Sequence, residues 1–168
     1  MNQRIIILLC SILALGFVQT LTAAEQGDAM PDCALAAADG ATGYKLKSLQ
    51  GKVLYVDFWA SWCGPCAKSF PFLNHLNHQF KDRGLQVIGI NLDEKPADAQ
   101  DFLAQYPAEF TVAAAGANQQ CALDFGVKAM PSSYLVDRKG RIRHIHLGFK
   151  SGEAEDLTAL IEQLIAEH

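Results

Sequence analysis

Two cysteines separated by two residues, Cys63 and Cys66, are the side chains in this sequence best suited to covalent chemistry. They follow an apolar run typical of a buried strand and precede a helical pattern, so we expect Cys63 at a helix N-terminus. Unpaired N–H groups and the helix dipole stabilise a thiolate there, and the thiolate is the nucleophile of disulfide exchange. The sequence therefore predicts Cys63 as the nucleophile and Cys66 as the thiol that resolves the mixed disulfide. Gly64 and Pro65 between them would set the stability of the thiolate.

The elements around this pair must hold it in place. Residues 53–59 have the β-branched and aromatic composition of a central strand, interrupted by Asp57. An acid inside a buried strand is costly, and burial raises its pKa toward neutrality, which suits a general base. Residues 66–83 carry apolar side chains at helical spacing, and Gly84 is a predicted C-cap. Residues 85–92 read as the next strand, which gives a right-handed βαβ unit.

The stretch from Tyr55 to Cys66, with the sequence Y-V-D-F-W-A-S-W-C-G-P-C, resembles the thioredoxin active site. The opening residues 30–52 resemble the TlpA/ResA-like branch of thioredoxin-fold proteins. This resemblance implies a thioredoxin-like three-layer α/β/α sandwich with a mixed central sheet, an N-terminal β-hairpin and a strand-helix insert over residues 93–118. It also implies that Asp57 accepts the proton of the second thiol. Thioredoxins place a lysine on the neighbouring strand, where this chain reads Ile88-Gly89-Ile90.

Residues 127–137 form the second diagnostic stretch, in which Met130-Pro131 resembles the cis-proline loop of thioredoxin-fold proteins. The alternative is a trans proline in an ordinary turn. A cis loop would place the backbone of Met130 beside the dithiol, where it can bind an extended substrate strand. Trp62 would offer the same substrates an apolar surface. Residues 134–136 and 141–147 read as an antiparallel pair, followed by a final amphipathic helix that Ser151 could cap.

The N-terminus has the anatomy of a secretory signal peptide, with Arg4, an apolar run over residues 5–18 and small residues at 22–24. We expect residues 1–24 to be cleaved and residues 25–168 to form one thioredoxin-like domain in the periplasm. A retained membrane anchor is the alternative. Residues 25–30 are polar, and we expect this leader to be disordered.

The remaining cysteines and the histidines are weaker signals. Cys10 lies in the apolar run of the predicted signal peptide, and Cys33 and Cys121 either form a second disulfide or are buried free thiols. His75 and His78, like His144 and His146, have metal-ligand spacing but no evident third ligand, so we expect no metal and no cofactor.

The predicted function is that of an exported thiol:disulfide oxidoreductase. The Gly-Pro pair favours reduction of disulfides in exported client proteins. The family resemblance implies a membrane thiol transporter of the DsbD/CcdA kind as electron donor and cytochrome c maturation as one possible client process. The alternatives are a copper-binding thiol chaperone and a disulfide-forming oxidant of the same fold, whereas a peroxidase would need a lone cysteine in a Thr-x-x-Cys setting. The net charge of −4 and the lack of a basic run argue against nucleic acid as a partner.

Overall fold

A computed structural model describes residues 23–37, 43–116 and 119–167 of the chain. Within these ranges the chain forms seven strands and four α-helices. The strands are β1 (Ala34–Ala37), β2 (Tyr44–Lys45), β3 (Val53–Trp59), β4 (Leu85–Asn91), β5 (Thr111–Ala114), β6 (Ser132–Val136) and β7 (Ile142–Leu147). The helices are α1 (Gly64–Phe80), α2 (Pro96–Gln105), α3 (Gln120–Phe125) and α4 (Ala154–Ala166).

The strands form one mixed sheet in the order β2-β1-β5-β4-β3-β6-β7. β4 runs parallel to both β3 and β5, whereas the other neighbouring strands are antiparallel. β3 lies between β4 and β6, and every residue of it is buried. This burial on both faces explains why its sequence is almost continuously apolar.

Helices cover both faces of the sheet. Alternate β3 residues Val53, Tyr55 and Trp59 share one apolar cluster with buried residues of α1, α2 and α4. Leu54, Val56 and Phe58 point to the opposite face and pack with α3. The prediction of a thioredoxin-like three-layer α/β/α sandwich is therefore confirmed. Its N-terminal hairpin is the antiparallel pair of β1 and β2, and its insert is α2 with β5.

Several element boundaries differ from the predicted ones by a few residues. α1 begins at Gly64 and ends at Phe80, and a 3₁₀ turn over Lys81–Arg83 joins it to Gly84, which has a left-handed φ of 101°. Ser151 is not the N-cap of the last helix, contrary to the prediction. A 3₁₀ turn over Ser151–Glu153 comes first, so Glu153 is the N-cap of α4.

The polar leader is ordered, which corrects the prediction of disorder for residues 25–30. The backbone N–H of Gly27 donates to the carbonyl of Ile142 at 2.8 Å, and the N–H of Ile142 donates to Asp28 at 2.9 Å. Ala29 forms an antiparallel bridge with Arg141. The leader thus covers the start of β7, the edge strand of the sheet. Its polar composition satisfies the local criteria for disorder, but an unpaired edge offers hydrogen bonds that those criteria ignore.

Cys33 and Cys121 form a disulfide with a Cα–Cα distance of 5.0 Å, so the first of the two alternatives holds. Both residues are buried in the cluster on the α3 face of the sheet. The bond ties the start of the domain to α3.

The predicted signal peptide lies outside the described residues, apart from Ala23 and Ala24. Over the described ranges, no helix has both the length and the apolar character needed to cross a membrane.

Replacing both cysteines of the second disulfide, as Cys33→Ala with Cys121→Ala, should lower the free energy of unfolding by about 2–5 kcal/mol. The bond spans 88 residues, so its loss returns a large amount of conformational freedom to the unfolded chain. Urea denaturation of the oxidised proteins measures the change. The control variant, Cys63→Ala with Cys66→Ala, opens a loop of only three residues and should lose less stability. Equal losses in the two variants would contradict this prediction.

Candidate active site

Cys63 is the N-cap residue of α1, as the sequence predicts. Its backbone is extended, with φ −89° and ψ 95°, and its Sγ accepts a hydrogen bond from the backbone N–H of Cys66 at 3.3 Å. A helix N-terminus leaves its first N–H groups without intrahelical partners. A thiolate formed at Cys63 would be stabilised by these groups and by the positive end of the helix dipole.

The helix starts at this point for local reasons. Pro65 lies in the first turn, where a missing N–H costs nothing and the fixed φ suits a helix. Gly64 and Pro65 are exposed, so the turn between the cysteines faces solvent. Cys66 is fully buried and is bonded to Cys63 in the oxidised form that the structure shows. Cys63 is itself only 4% exposed in this form, but it adjoins the exposed turn, so a client disulfide would reach the pair from the Cys63 side.

A polar contact fixes the loop between β3 and α1. Asp93 accepts hydrogen bonds from the backbone N–H of Ser61 at 3.0 Å and from its hydroxyl at 2.9 Å. Asn91, at the end of β4, donates to the same carboxylate at 2.7 Å. These residues were not predicted, because the contact depends on the parallel pairing of β3 with β4 that brings the ends of both strands together.

Asp57 lies on the face of β3 that packs against α1. It alternates with Tyr55 and Trp59, which share a cluster with Cys63 and Cys66. Its side chain is only 1% exposed. Burial raises the pKa of Asp57 to about 7, and a hydrogen bond from Ser133 opposes the rise. The acid can therefore change its protonation state at neutral pH, as a proton acceptor must.

The neighbours of Asp57 on the adjacent strands are small. Gly89 of β4 and Ser133 of β6 lie directly opposite it in the two strand pairs. The Ser133 hydroxyl donates to Asp57 Oδ1 at 2.6 Å, whereas Oδ2 has no hydrogen-bond partner among the described residues. The residue of β4 that pairs with Asp57 is thus a glycine, and the lysine that thioredoxins place on this strand is not present in β4. Ser133 was missed in the sequence, because nothing local indicates which residue pairs with Asp57.

The peptide bond between Met130 and Pro131 is cis, as predicted. Pro131 directly precedes β6, and Met130 packs against the cluster that contains Cys63 and Cys66. The structure therefore brings the two diagnostic stretches of the sequence together, where β3 ends and the neighbouring strand β6 begins.

Two grooves lie on either side of Trp62, whose side chain is 72% exposed. The first, which we call the insert groove, has a volume of about 440 Å³ and is lined by Cys63 and by Asp98, Asp101 and Tyr106 at α2. The second, the proline-loop groove, has a volume of about 480 Å³. Its lining residues include Trp62, Leu92, Leu123, Val127, Lys128 and Met130. The lining of the insert groove includes Cys63, whereas the proline-loop groove approaches the site at Trp62 and Met130.

Three of the four histidines with metal-ligand spacing have other neighbours. His78 pairs with Glu109, and His146 Nε2 lies 3.3 Å from Glu153 Oε2. His144 stacks on His146 with 6.2 Å between ring centroids. No cluster of three metal-ligating side chains occurs in the portion of the chain that the structure describes.

The fold and the site together define a thioredoxin-fold protein of the TlpA/ResA-like branch. Comparison with protein families gives a match to Redoxin over residues 25–161. The chain therefore belongs to the Redoxin family.

Individual relatives are named for thiol-disulfide exchange. A thiol-disulfide oxidoreductase ResA from Bacillus thuringiensis is 33% identical over 109 residues, which are 65% of this chain and 62% of the relative. The thiol:disulfide interchange protein HelX from Rhodobacter capsulatus is 39% identical over 92 residues, 55% of this chain and 50% of the relative. The chain thus spans less than two thirds of these two relatives. A crystal structure from Chlorobium tepidum, named for a thiol:disulfide interchange protein DsbE, matches with a TM-score of 0.80 and 44% identity over 86% of this chain and 100% of that chain.

The buried acid should make stability depend on pH. Because the pKa of Asp57 is raised to about 7, the folded state holds its proton more tightly than the unfolded state, where the pKa is about 3.9. The protonated acid thus stabilises the fold fully below about pH 4 and loses this effect as the pH rises through about 7.

The matched variant Asp57→Asn cannot titrate. Relative to this variant, the free energy of unfolding of the wild type should fall between pH 4 and pH 8 by on the order of a few kcal/mol. Urea denaturation of the oxidised proteins at several pH values measures the difference. Parallel pH dependences in the two proteins would show that Asp57 has an ordinary pKa.

Proposed function

We propose that this protein is an exported thiol:disulfide oxidoreductase that reduces disulfides of extracytoplasmic client proteins through Cys63 and Cys66. The observation that carries the proposal is the position of Cys63 at the N-terminus of α1, with Cys66 buried behind it and the Met130–Pro131 loop beside it. The names of the ResA, HelX and DsbE relatives support the same class of reaction.

The reaction would proceed in two exchanges. The Cys63 thiolate attacks one sulfur of the client disulfide, the client S–S bond breaks, and the other client sulfur leaves as a thiolate that takes up a proton. Cys66 then gives its proton to Asp57 and attacks the Cys63 sulfur. The Cys63–Cys66 bond forms, the bond from Cys63 to the client breaks, and the client leaves with two reduced sulfurs.

Two parts of the surface would bind the client during these steps. The backbone at Met130 and Pro131 would hold an extended client strand by main-chain hydrogen bonds, as an added β-strand is held. Trp62 would contribute apolar contact area, because its large side chain stands exposed between the two grooves. Gly64 and Pro65 leave the approach to Cys63 open.

The direction of electron flow follows from the residues between the cysteines. We infer that the protein reduces its clients, because thioredoxin has the same Gly-Pro pair between its cysteines. Thioredoxin has one of the lowest reduction potentials among dithiol proteins of this kind. The predicted export to the periplasm would then require a membrane thiol transporter of the DsbD/CcdA kind to reduce the Cys63–Cys66 bond again. Cytochrome c maturation is one process that such a reductant could serve.

The reduction potential of the Cys63–Cys66 couple tests the direction. Equilibration of the oxidised protein with dithiothreitol or glutathione buffers should give a value near that of thioredoxin, about −270 mV. Cys63→Ser should show no such two-electron couple, which assigns the signal to this pair rather than to Cys33 and Cys121. A value near −120 mV would make the protein a disulfide-forming oxidant instead. The absence of any couple in the wild type, combined with tight copper binding, would favour a copper chaperone.

The two cysteines should have different roles in turnover. Cys66→Ser removes only the resolving thiol, so we expect the variant to accumulate a mixed disulfide through Cys63 when it meets oxidised insulin. Non-reducing electrophoresis and mass spectrometry detect this adduct. Cys63→Ser, the matched control, should form no adduct and lose insulin reduction. Adducts formed equally well by Cys63→Ser would contradict the assignment, because buried Cys66 would then be the attacking group.

A further inference from the structure

Ser133 has a contact that links the proline loop to the buried acid. It lies two residues after Pro131 and directly opposite Asp57 in the antiparallel pair of β3 and β6. Its Oγ donates to Asp57 Oδ1 at 2.6 Å, and both side chains are buried. Ser132, its neighbour, is equally buried but donates instead to the carbonyl of Ala129. The contact with the acid is therefore specific to Ser133.

Other groups face Asp57 from each element packed around it. Tyr55 precedes it on the same face of β3, and Cys66 of α1 belongs to the same cluster as Tyr55. β4 contributes Gly89 at the paired position, and α4 contributes apolar residues such as Ile161.

β7 contributes the remaining titratable groups on this face. His146 pairs with Ser133, and His144 pairs with Leu135, one row away. His146 makes its contact with Glu153 rather than with the acid. Among the described residues, Ser133 is the group that supplies a hydrogen bond to the Asp57 carboxyl.

We propose that Ser133 is a positioning residue of the thiol–disulfide exchange, whose hydroxyl holds Asp57 as the carboxylate that accepts the proton of Cys66. This inference rests on the role proposed above for Asp57. A carboxylate can accept the Ser133 hydrogen bond, whereas a buried carboxylate without it would have to be desolvated with no compensation. The free Oδ2 remains available to take a proton from the resolving thiol.

The hydroxyl acts on the protonation equilibrium of Asp57. Burial raises the pKa of this acid and the Ser133 hydrogen bond lowers it, so that the two effects together give a value of about 7. Without the hydroxyl, burial acts alone and the pKa of Asp57 rises further. Less carboxylate is then present at neutral pH, and Cys66 loses its proton acceptor in a larger fraction of the molecules.

The variant Ser133→Ala tests the proposal by two independent readouts. The titration of the Asp57 carboxyl carbon, followed by NMR, should have its midpoint shifted upward by on the order of one pH unit. The rate of insulin reduction should fall at low pH as Asp57 is protonated, and we call this part of the pH profile the acid limb. In the variant the acid limb should also move to higher pH, with a fall of about fivefold in rate at pH 7. Ser133→Thr keeps the hydroxyl and should restore both values toward those of the wild type.

Three further variants separate this effect from others. Ser132→Ala removes a neighbouring buried hydroxyl that does not touch Asp57, and it should leave the midpoint unchanged. Asp57→Asn assigns the carboxyl resonance and should lose the acid limb. His146→Gln should retain the limb, which would show that the limb does not come from His146.

The proposal is overturned if Ser133→Ala titrates like the wild type, if Ser132→Ala shifts the midpoint as far, or if His146→Gln removes the limb. An Asp57→Asn variant that keeps the wild-type profile would remove the role of Asp57 and the inference with it. A wild type that does not reduce insulin would contradict the proposed function alone, because the NMR midpoints test the contact between Ser133 and Asp57 without turnover.

Discussion

The site depends on one constraint, which is the packing that fixes the end of the buried strand β3 close to the start of α1. β3 lies between two hydrogen-bonded neighbours and under helices on both sides, so its end at Trp59 is fixed in position. α1 is fixed in turn by the buried side chains Phe70, Leu73 and Leu76. The short turn between the two elements therefore holds Cys63 against the N-terminal N–H groups of α1, where its Sγ accepts from the backbone N–H of Cys66. A packed interior tolerates little displacement, and that rigidity is transmitted to the dithiol.

The same strand carries a buried carboxyl group, which is costly. Asp57 loses its hydration at the centre of the sheet, and among the described residues it receives one hydrogen bond, from Ser133. Protonation lowers this cost, because the free energy of burying the neutral acid is far smaller than that of burying the carboxylate. Burial favours the neutral acid and the Ser133 hydrogen bond favours the carboxylate, and together they give a pKa of about 7. A group with such a pKa can change its protonation state near neutral pH, as the proposed proton transfer from Cys66 requires.

The sequence predicted those features that are written in local patterns. The apolar run of β3, the helical spacing in α1 and the cysteine and proline motifs gave the fold and the position of the dithiol, because each depends on residues close together in the chain. Four features were missed or left open: the pairing of the leader with β7, the Cys33–Cys121 bond, the contact between Ser61 and Asp93 and the contact between Ser133 and Asp57. Each joins residues distant in sequence, and strand register or spatial proximity decides it. Composition does not encode these quantities, so the polar leader was predicted to be disordered and Ser133 was left outside the predicted strand 134–136.

The second disulfide also has a place in the organisation of the site. α3 contributes Ala122 and Leu123 to the proline-loop groove, and Cys121 lies on the same short helix. A six-residue helix has little intrinsic stability, and its position depends on tertiary contacts. The bond to Cys33 supplies a covalent contact of this kind and anchors the helix to the residue that directly precedes β1. The chain therefore separates two tasks: β3 and α1 hold the reacting sulfurs, while α2 and the disulfide-anchored α3 form the walls on either side of Trp62. Under the proposed function, substitutions in those walls would alter which clients bind while leaving Cys63 and Cys66 in place at the start of α1.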